Sequence, residues 1–319
     1  MTPSASVVIC AFADEREKLT IRAVEAVLAQ QPAPAEVIVV VDHNEALGDQ
    51  LRGRLPESVI VAANSGDKGL SSARNTAIAL AQAEVIAFLD DDAVPRAGWL
   101  ATLLAAFVEG DVVGVGGKAV PAWQDHQPPW FPNTYLWVVG CSYEGQPETG
   151  AVRNPIGCNM AFRRELFERA GVFDTQIGRL GSRPLGCEET ELCIRTARVM
   201  PGTRFVLVKG AEIDHWVPQI RGRWGYFVRR CYYEGISKAL VRTLGDTRSL
   251  DTERTYVSRA LPSEALRSLR AVLRGNAPLA AGGRIAAILI GLLAAGTGYL
   301  GGAVMFRDNP QAPLSANAE

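Results

Sequence analysis

Apolar positions along this chain fall into two patterns. Short continuous runs rich in β-branched residues occur at Ser6–Phe12 (SVVICAF), Glu36–Asp42 (EVIVVVD), Ser58–Asn64 (SVIVAAN) and Glu84–Leu89 (EVIAFL), and each predicts a strand. Between them lie stretches with helical spacing. Leu19–Leu28 places Ile21, Val24 and Leu28 on one face, and Gly69–Ala83 and Trp99–Val108 read as further helices. Strands that are apolar on both faces, alternating with amphipathic helices, predict an α/β fold with a mostly parallel central sheet covered on both sides. Later segments predict helices over 163–170 and 189–199 and a strand over Arg204–Val208. Val120–Arg153 has no period and is rich in Pro, Trp and Tyr. Such a segment is either a binding loop or a packing excursion.

The C-terminal part changes character. Ile285 to Phe306 carries no charge and, at ~1.5 Å per residue, is long enough to cross a ~30 Å hydrocarbon core. The competing reading is a buried helix. The preceding stretch is basic, with Arg254, Arg259, Arg267, Arg270, Arg274 and Arg284. Positive residues favour the cytoplasmic side, so this places the rest of the chain on the cytoplasmic face of a cell membrane, as a single-pass or peripheral protein. The expected organisation is a catalytic domain over 1–243, a basic linker with amphipathic helices over 244–284, a membrane-anchoring helix over 285–306 and a polar tail over 307–319. The N-terminus has no basic segment ahead of a long apolar run, so no secretory signal is expected.

Composition excludes several classes. A formal net charge of -1 argues against general nucleic-acid binding. The six cysteines form no C-x-x-C pair and there are three histidines, so a zinc site is not expected and reduced thiols are.

The chemistry concentrates at Asp90, Asp91 and Asp92, directly after the fourth strand. In an open α/β sheet, ligands bind beyond the carboxyl ends of the strands. Asp42 ends the second strand at the same edge. Three adjacent carboxylates repel, and a hard divalent cation, Mg2+ or Mn2+, would relieve the repulsion. The plainer alternative, an acid that starts the next helix, needs only one of the three. No G-x-G-x-x-G follows the first strand, and Val113–Val120 (VGVGGKAV) lacks the spacing of a phosphate-binding loop.

Taken in order, five segments resemble the family 2 inverting glycosyltransferases of GT-A fold, in the membrane-associated form known from bacteria. They are SVVICAFAD, EVIVVVD with NSGDKGLSSARNTAIA, FLDDDAVP, NPIGCNMAFRRELFERAGVFD and GCEETELCIR. The match spans Ser6 to Lys238. The resemblance implies a GT-A-like nucleotide-binding fold, a nucleotide-sugar donor, most readily a UDP-sugar, and a lipid-linked or cell-envelope glycan acceptor. It implies that Asp90 and Asp92 hold the cation, with Asp91 at the variable middle position, and that His215 approaches the metal or diphosphate. Asp42 would contact uracil or ribose, and Asp67, Arg74 and Asn75 would line the nucleotide pocket. The family's Glu-Asp pair falls on Glu188 and Glu189, which makes Glu189 the base; glutamate there is a departure, one methylene longer. By residue type alone, His215 also suits a structural role, and Arg74 the surface of its helix. Arg221, Arg229 and Arg230 suit phosphate or lipid, while Trp216, Trp224, Tyr226 and Phe227 suit a sugar or a core. Two other functions fit parts of the pattern: a catalytically silent nucleotide-sugar binder, and a phosphotransferase with Asp90 as nucleophile, which lacks the expected Thr.

Overall fold

The four N-terminal runs become strands that pair in parallel. The computed structural model describes residues 2–178, 185–244 and 251–307. In it, β1 (Ala5–Ala11), β2 (Glu36–Val41), β3 (Val59–Ala63) and β4 (Val85–Asp90) are linked by α1 (Glu17–Leu28), α2 (Glu45–Arg54) and α3 (Leu70–Leu80). Alternate strand residues serve two cores. Val7, Ile9, Val37, Val39 and Leu89 pack with Val24 and Val27 of α1 and Leu47 and Leu51 of α2. Val8, Ile38, Val40, Ile86 and Phe88 pack with Ala73 and Ala77 of α3. A strand buried on both faces has no polar side, which is why β1, β2 and β4 read as unbroken apolar runs; β3, at the sheet edge, is apolar but partly exposed, with Ile60 facing solvent. The sequence pattern did not single out α2, which is polar apart from Leu47 and Leu51; Asn44 starts it by accepting the Leu47 amide N–H at 3.1 Å.

The chain continues through β5 (Ala93–Pro95), α4 (Trp99–Ala106), β6 (Val112–Trp123), β7 (Gly150–Val152), β8 (Asn159–Arg163), α5 (Arg164–Ala170), α6 (Glu188–Val199) and β9 (Arg204–Val217). The sheet order is β3-β2-β1-β4-β8-β6-β9-β5, with β7 on β9. Parallel pairing holds for β1 to β4. From β4 to β8 onward the pairs are antiparallel, so the sheet is mixed. Val113–Val120 lies within β6, and its glycines serve close packing: a Cβ on Gly117 would lie 1.8 Å from the Ala211 carbonyl oxygen. β9 runs well past the expected Val208, with Ala211, Ile213, His215 and Val217 buried and Glu212 and Asp214 between them.

The described residues group into two compact units. One is drawn from Met1–Val120, Pro147–Ser182 and Glu188–His215, the other from Pro121–Gln146, Arg183–Cys187 and Trp216–Glu319. The second contains α7 (Trp224–Leu244), α8 (Asp251–Thr255), α9 (Leu261–Leu273) and α10 (Pro278–Met305). Its core gathers Phe131, Tyr135, Val139, Phe227, Leu261 and Ile288. Trp130 stacks on Trp224 with ring centres 3.9 Å apart. The Pro/Trp/Tyr-rich segment therefore supplies core residues between Phe131 and Cys141, and Phe227, with Trp224 packed against it, belongs to that core too. The apolar run expected over 285–306 falls on α10, which starts earlier, at Pro278, and ends at Met305, with Phe306 capping it. Residues 245–250 of the basic linker and the polar tail beyond 307 fall outside the described residues. All six cysteines are free thiols.

Candidate active site

β1, β2 and β4 end at one edge of the sheet, and the acids stand there. Asp90 is the last residue of β4 and pairs with Cys10 of β1. After Asp91 and Asp92 the chain enters β5, which runs antiparallel to β9 with Ala93 opposite His215. This pairing brings the imidazole to the acids. His215 Nε2 lies 3.3 Å from Asp92 Oδ1 and 3.9 Å from Asp90 Oδ2. One ligand atom from each of Asp90, Asp92 and His215 falls within 4.8 Å of the others. Two carboxylates and an imidazole, held on β4, on the turn before β5 and on β9 and largely buried, fit Mn2+ or Mg2+. Burial would raise the Asp90 carboxyl, but the His215 hydrogen bond and the Arg74 charge outweigh it and hold the group below its ordinary range.

Two arginines face the cluster. Arg16, at the end of the tight turn over Asp14–Arg16 that follows β1, places Nη1 2.5 Å from Asp91 Oδ1 and Nη2 3.0 Å from Asp92 Oδ2. Burial pushes the Asp91 carboxyl up to about 7, against the pull of Arg16. The sequence reading missed Arg16, because nothing local distinguishes it within ADEREK. Arg74 is 2% exposed, not a surface residue of α3. Its Nη1 donates to Glu188 Oε1 at 2.9 Å, its Nη2 donates to the Gly157 carbonyl at 3.1 Å, and Nη2 stands 3.7 Å from Asp90 Oδ1. The guanidinium lies over Phe173, 5.4 Å from the ring centre. Arg74 thus joins the aspartate cluster to the glutamate pair.

Glu188 opens α6 and is buried, whereas Glu189 is half-buried. A Cβ on Gly157 would lie 3.8 Å from both Glu188 Oε1 and Glu189 Oε2, so both acids face that backbone. Asn154 Nδ2 approaches Glu189 Oε1 at 3.5 Å. Glu191 is paired instead with Arg195 at 2.7 Å, one helical turn along.

The remaining expected residues divide. Asp42 accepts from Asn64 Nδ2 at 2.7 Å and from the Gly69 amide at 3.0 Å. Asn64 Oδ1 in turn accepts from the Gly66 amide and from the Ser72 and Thr76 hydroxyls. The 64–69 loop is thereby fastened to Asp42, and Asp67 stands exposed on it. Asn75 is committed elsewhere: its amide donates to the Phe173 carbonyl at 2.8 Å and accepts from the Phe173 N–H at 3.0 Å.

Comparison with known proteins bears on the family and the fold. The Glycosyl transferase family 2 model matches residues 6–171. A glucosyl-dolichyl phosphate glucuronosyltransferase of Haloferax volcanii is 32% identical over 301 residues, covering 93% of this chain and 95% of the relative. The succinoglycan biosynthesis protein ExoM of Rhizobium meliloti is 24% identical over 71% of each chain. Among solved structures, the mannosyltransferase PcManGT of Pyrobaculum calidifontis, in complex with GDP-Man and Mn2+, superposes with a TM-score of 0.59 at 20% identity, covering 94% of this chain and 88% of that one. GalNAc-T7 with UDP, GalNAc and Mn2+ gives a TM-score of 0.51 at 16% identity, covering 80% of this chain and 54% of that one. The family model and the full-length haloarchaeal relative place the chain in family 2 of the glycosyl transferases, with a GT-A-like fold.

Proposed function

We propose that this transferase moves a sugar from a UDP-sugar to a lipid-phosphate-linked acceptor, inverting the anomeric carbon. The observation that carries the proposal is the grouping of Asp90, Asp92 and His215 at the sheet edge, with Arg74 running from Asp90 to Glu188, the neighbour of Glu189. A nucleoside diphosphate is a poor leaving group until its growing charge is neutralised. A divalent cation bound by Asp90, Asp92 and His215 supplies that neutralisation.

The chain's own residues do the rest. Arg16 offsets the charge of Asp91 and Asp92 before the cation arrives. Asp42 holds the 64–69 loop as one wall for the nucleoside, and its carboxylate retains acceptor sites for a ribose or base N–H or O–H. Glu188 is committed to Arg74, whose Nη1 donates to its Oε1 at 2.9 Å. Glu189, in the second place of the pair and facing the Gly157 backbone, is the group to take the acceptor hydroxyl's proton. A single displacement inverts configuration and needs no covalent nucleophile.

The name of the haloarchaeal relative, which couples glucuronosyl transfer with a glucosyl-dolichyl phosphate, supports a lipid-phosphate-linked acceptor. The apolar α10 supports work at a membrane, and the use of a nucleotide sugar suits the cytoplasmic face. The test is a transfer assay with full-length protein, Mn2+, a panel of UDP-, GDP- and TDP-sugars and a polyprenyl-phosphate-linked glucose. Transfer from a UDP-sugar to a product of inverted anomeric configuration is expected. Donor binding without hydrolysis or transfer from any donor would leave a silent binder in its place.

A further inference from the structure

By composition α10 is a spanning helix: it has 28 residues, and its most apolar window has a mean hydropathy of 1.9. Its packing says otherwise. A Cβ on Gly283 would lie 2.7 Å from Trp130 Cβ, and one on Gly291 would lie 2.6 Å from Tyr135 Cε1. Further along, a Cβ on Gly298 would meet the Tyr232 carbonyl oxygen at 1.9 Å, and one on Gly302 would meet Ala239 Cβ at 2.8 Å. From the other side, a Cβ on Gly235 of α7 would meet the Ala295 carbonyl oxygen at 2.0 Å. One face of α10 therefore touches its own unit over its whole apolar length. Tyr135 donates its hydroxyl to the Ile288 carbonyl at 3.2 Å, and Arg242 donates to the Tyr299 hydroxyl at 2.5 Å.

A bilayer wrapped around α10 would have to wrap what is packed against it. α7 carries Arg230, Glu234, Lys238 and Arg242 on the turns that meet α10, and charged groups at hydrocarbon depth are costly. The opposite face of α10 is different. Leu289, Leu293, Leu300 and Val304 are exposed along it, Val304 at 75%. α9 adds exposed Leu266, Leu269 and Leu273, with exposed Arg270 and Arg274 among them. Leucines interleaved with arginines suit the headgroup boundary, where alkyl groups enter and guanidinium groups reach lipid phosphates.

We infer that the outer stripes of α9 and α10 seat on the surface of an anionic bilayer, so that α10 lies in the interface and both of its ends stay on one side. This rests on the reading that the transferase works at a membrane, and it settles how: the protein is monotopic, and it meets a lipid-linked acceptor from the headgroup plane.

The test uses full-length protein carrying both Arg274→Cys and Arg307→Cys, one position on each side of α10. The protein is reconstituted in sealed phosphatidylglycerol-containing vesicles and treated with a membrane-impermeant maleimide. Mass spectrometry counts labels per molecule above the parent protein. Two extra labels or none, depending on which way each molecule faces, is the expected result. One extra label per molecule means the ends lie on opposite sides and overturns the inference. Protein that stays in the supernatant when vesicles are pelleted, as a monomer or as a dimer burying the leucines, also overturns it. A second variant, Leu293→Lys with Leu300→Lys, should weaken vesicle binding at least tenfold while turnover on a water-soluble acceptor stays unchanged; unaltered vesicle binding contradicts the inference. Failure of the transferase reading shows up separately, as absent turnover whatever the labelling pattern.

Discussion

The guanidinium of Arg16 stands 2.5 Å from Oδ1 of Asp91, across 75 residues of sequence, and its second nitrogen reaches Asp92. The middle acid of the triplet thus has a partner in the protein itself. Arg16→Met keeps the alkyl stem and removes the charge. Breaking a buried pair from one side typically costs about 3–5 kcal/mol. Here the expected loss is smaller, about 1–3 kcal/mol, because Asp91 already sits near 7 and can take up a proton. Mn2+ should restore more stability to the variant than it adds to the parent. Urea unfolding at neutral pH, with and without Mn2+, checks both statements; superimposable curves for variant and parent would remove Arg16 from the account.

Glu188 and Glu189 should separate on substitution. Glu189→Gln keeps size and shape but cannot accept a proton, so turnover should fall about 10²–10⁴-fold with donor affinity nearly unchanged. Glu188→Gln removes the nearest carboxylate from Arg74 and leaves that buried cation with the Gly157 carbonyl and, at 3.7 Å, Asp90. Its main effect should be lower unfolding stability. Steady-state kinetics beside thermal unfolding distinguishes the two. Near-normal rates for Glu189→Gln with a dead but stable Glu188→Gln would move the base by one residue.

A pH dependence belongs to Glu234. Burial would raise its carboxyl, but Lys238 at 3.0 Å and Arg230 at 2.8 Å outweigh burial and hold it at about 2. A carboxyl lowered on folding contributes stability above its ordinary value of 4.5 and loses it as pH falls toward about 2. Glu234→Gln should be less stable than the parent at neutral pH, with the gap closing across that acid window. Denaturant titrations of both proteins at several pH values measure the gap; a constant difference would contradict the assignment.

Much of this was legible from sequence, for physical reasons. β1, β2 and β4 are buried on both faces, so their apolar runs stand out, and the acids at the end of β4 need a counter-charge in any fold. The partners of those acids were harder to see. Arg16 reaches Asp91 only because β1 and β4 are neighbours in register, Cys10 beside Asp90. His215 was singled out by resemblance, but its approach to Asp92 depends on the three-residue β5 pairing with β9. A local signal for β9 did exist: Ala211, Ile213, His215 and Val217 alternate with polar positions, the period of a half-buried strand. Asn75 shows the opposite case, since a polar residue in a motif-bearing helix turned out to brace the Phe173 backbone. The tail's apolar length is visible in composition, but its packing is not: α10 covers Gly235 and Ile236 of α7, and its removal should expose them.

The cation site is tested most directly by calorimetry on full-length parent and Asp92→Asn, titrating UDP in the presence and absence of Mn2+. Asp92 supplies one ligand oxygen near His215 and Asp90. The parent should bind UDP with Mn2+ and much more weakly without it, and the folded variant should bind weakly in both conditions. Equal, Mn2+-dependent binding by parent and variant would contradict a cation held by Asp90, Asp92 and His215.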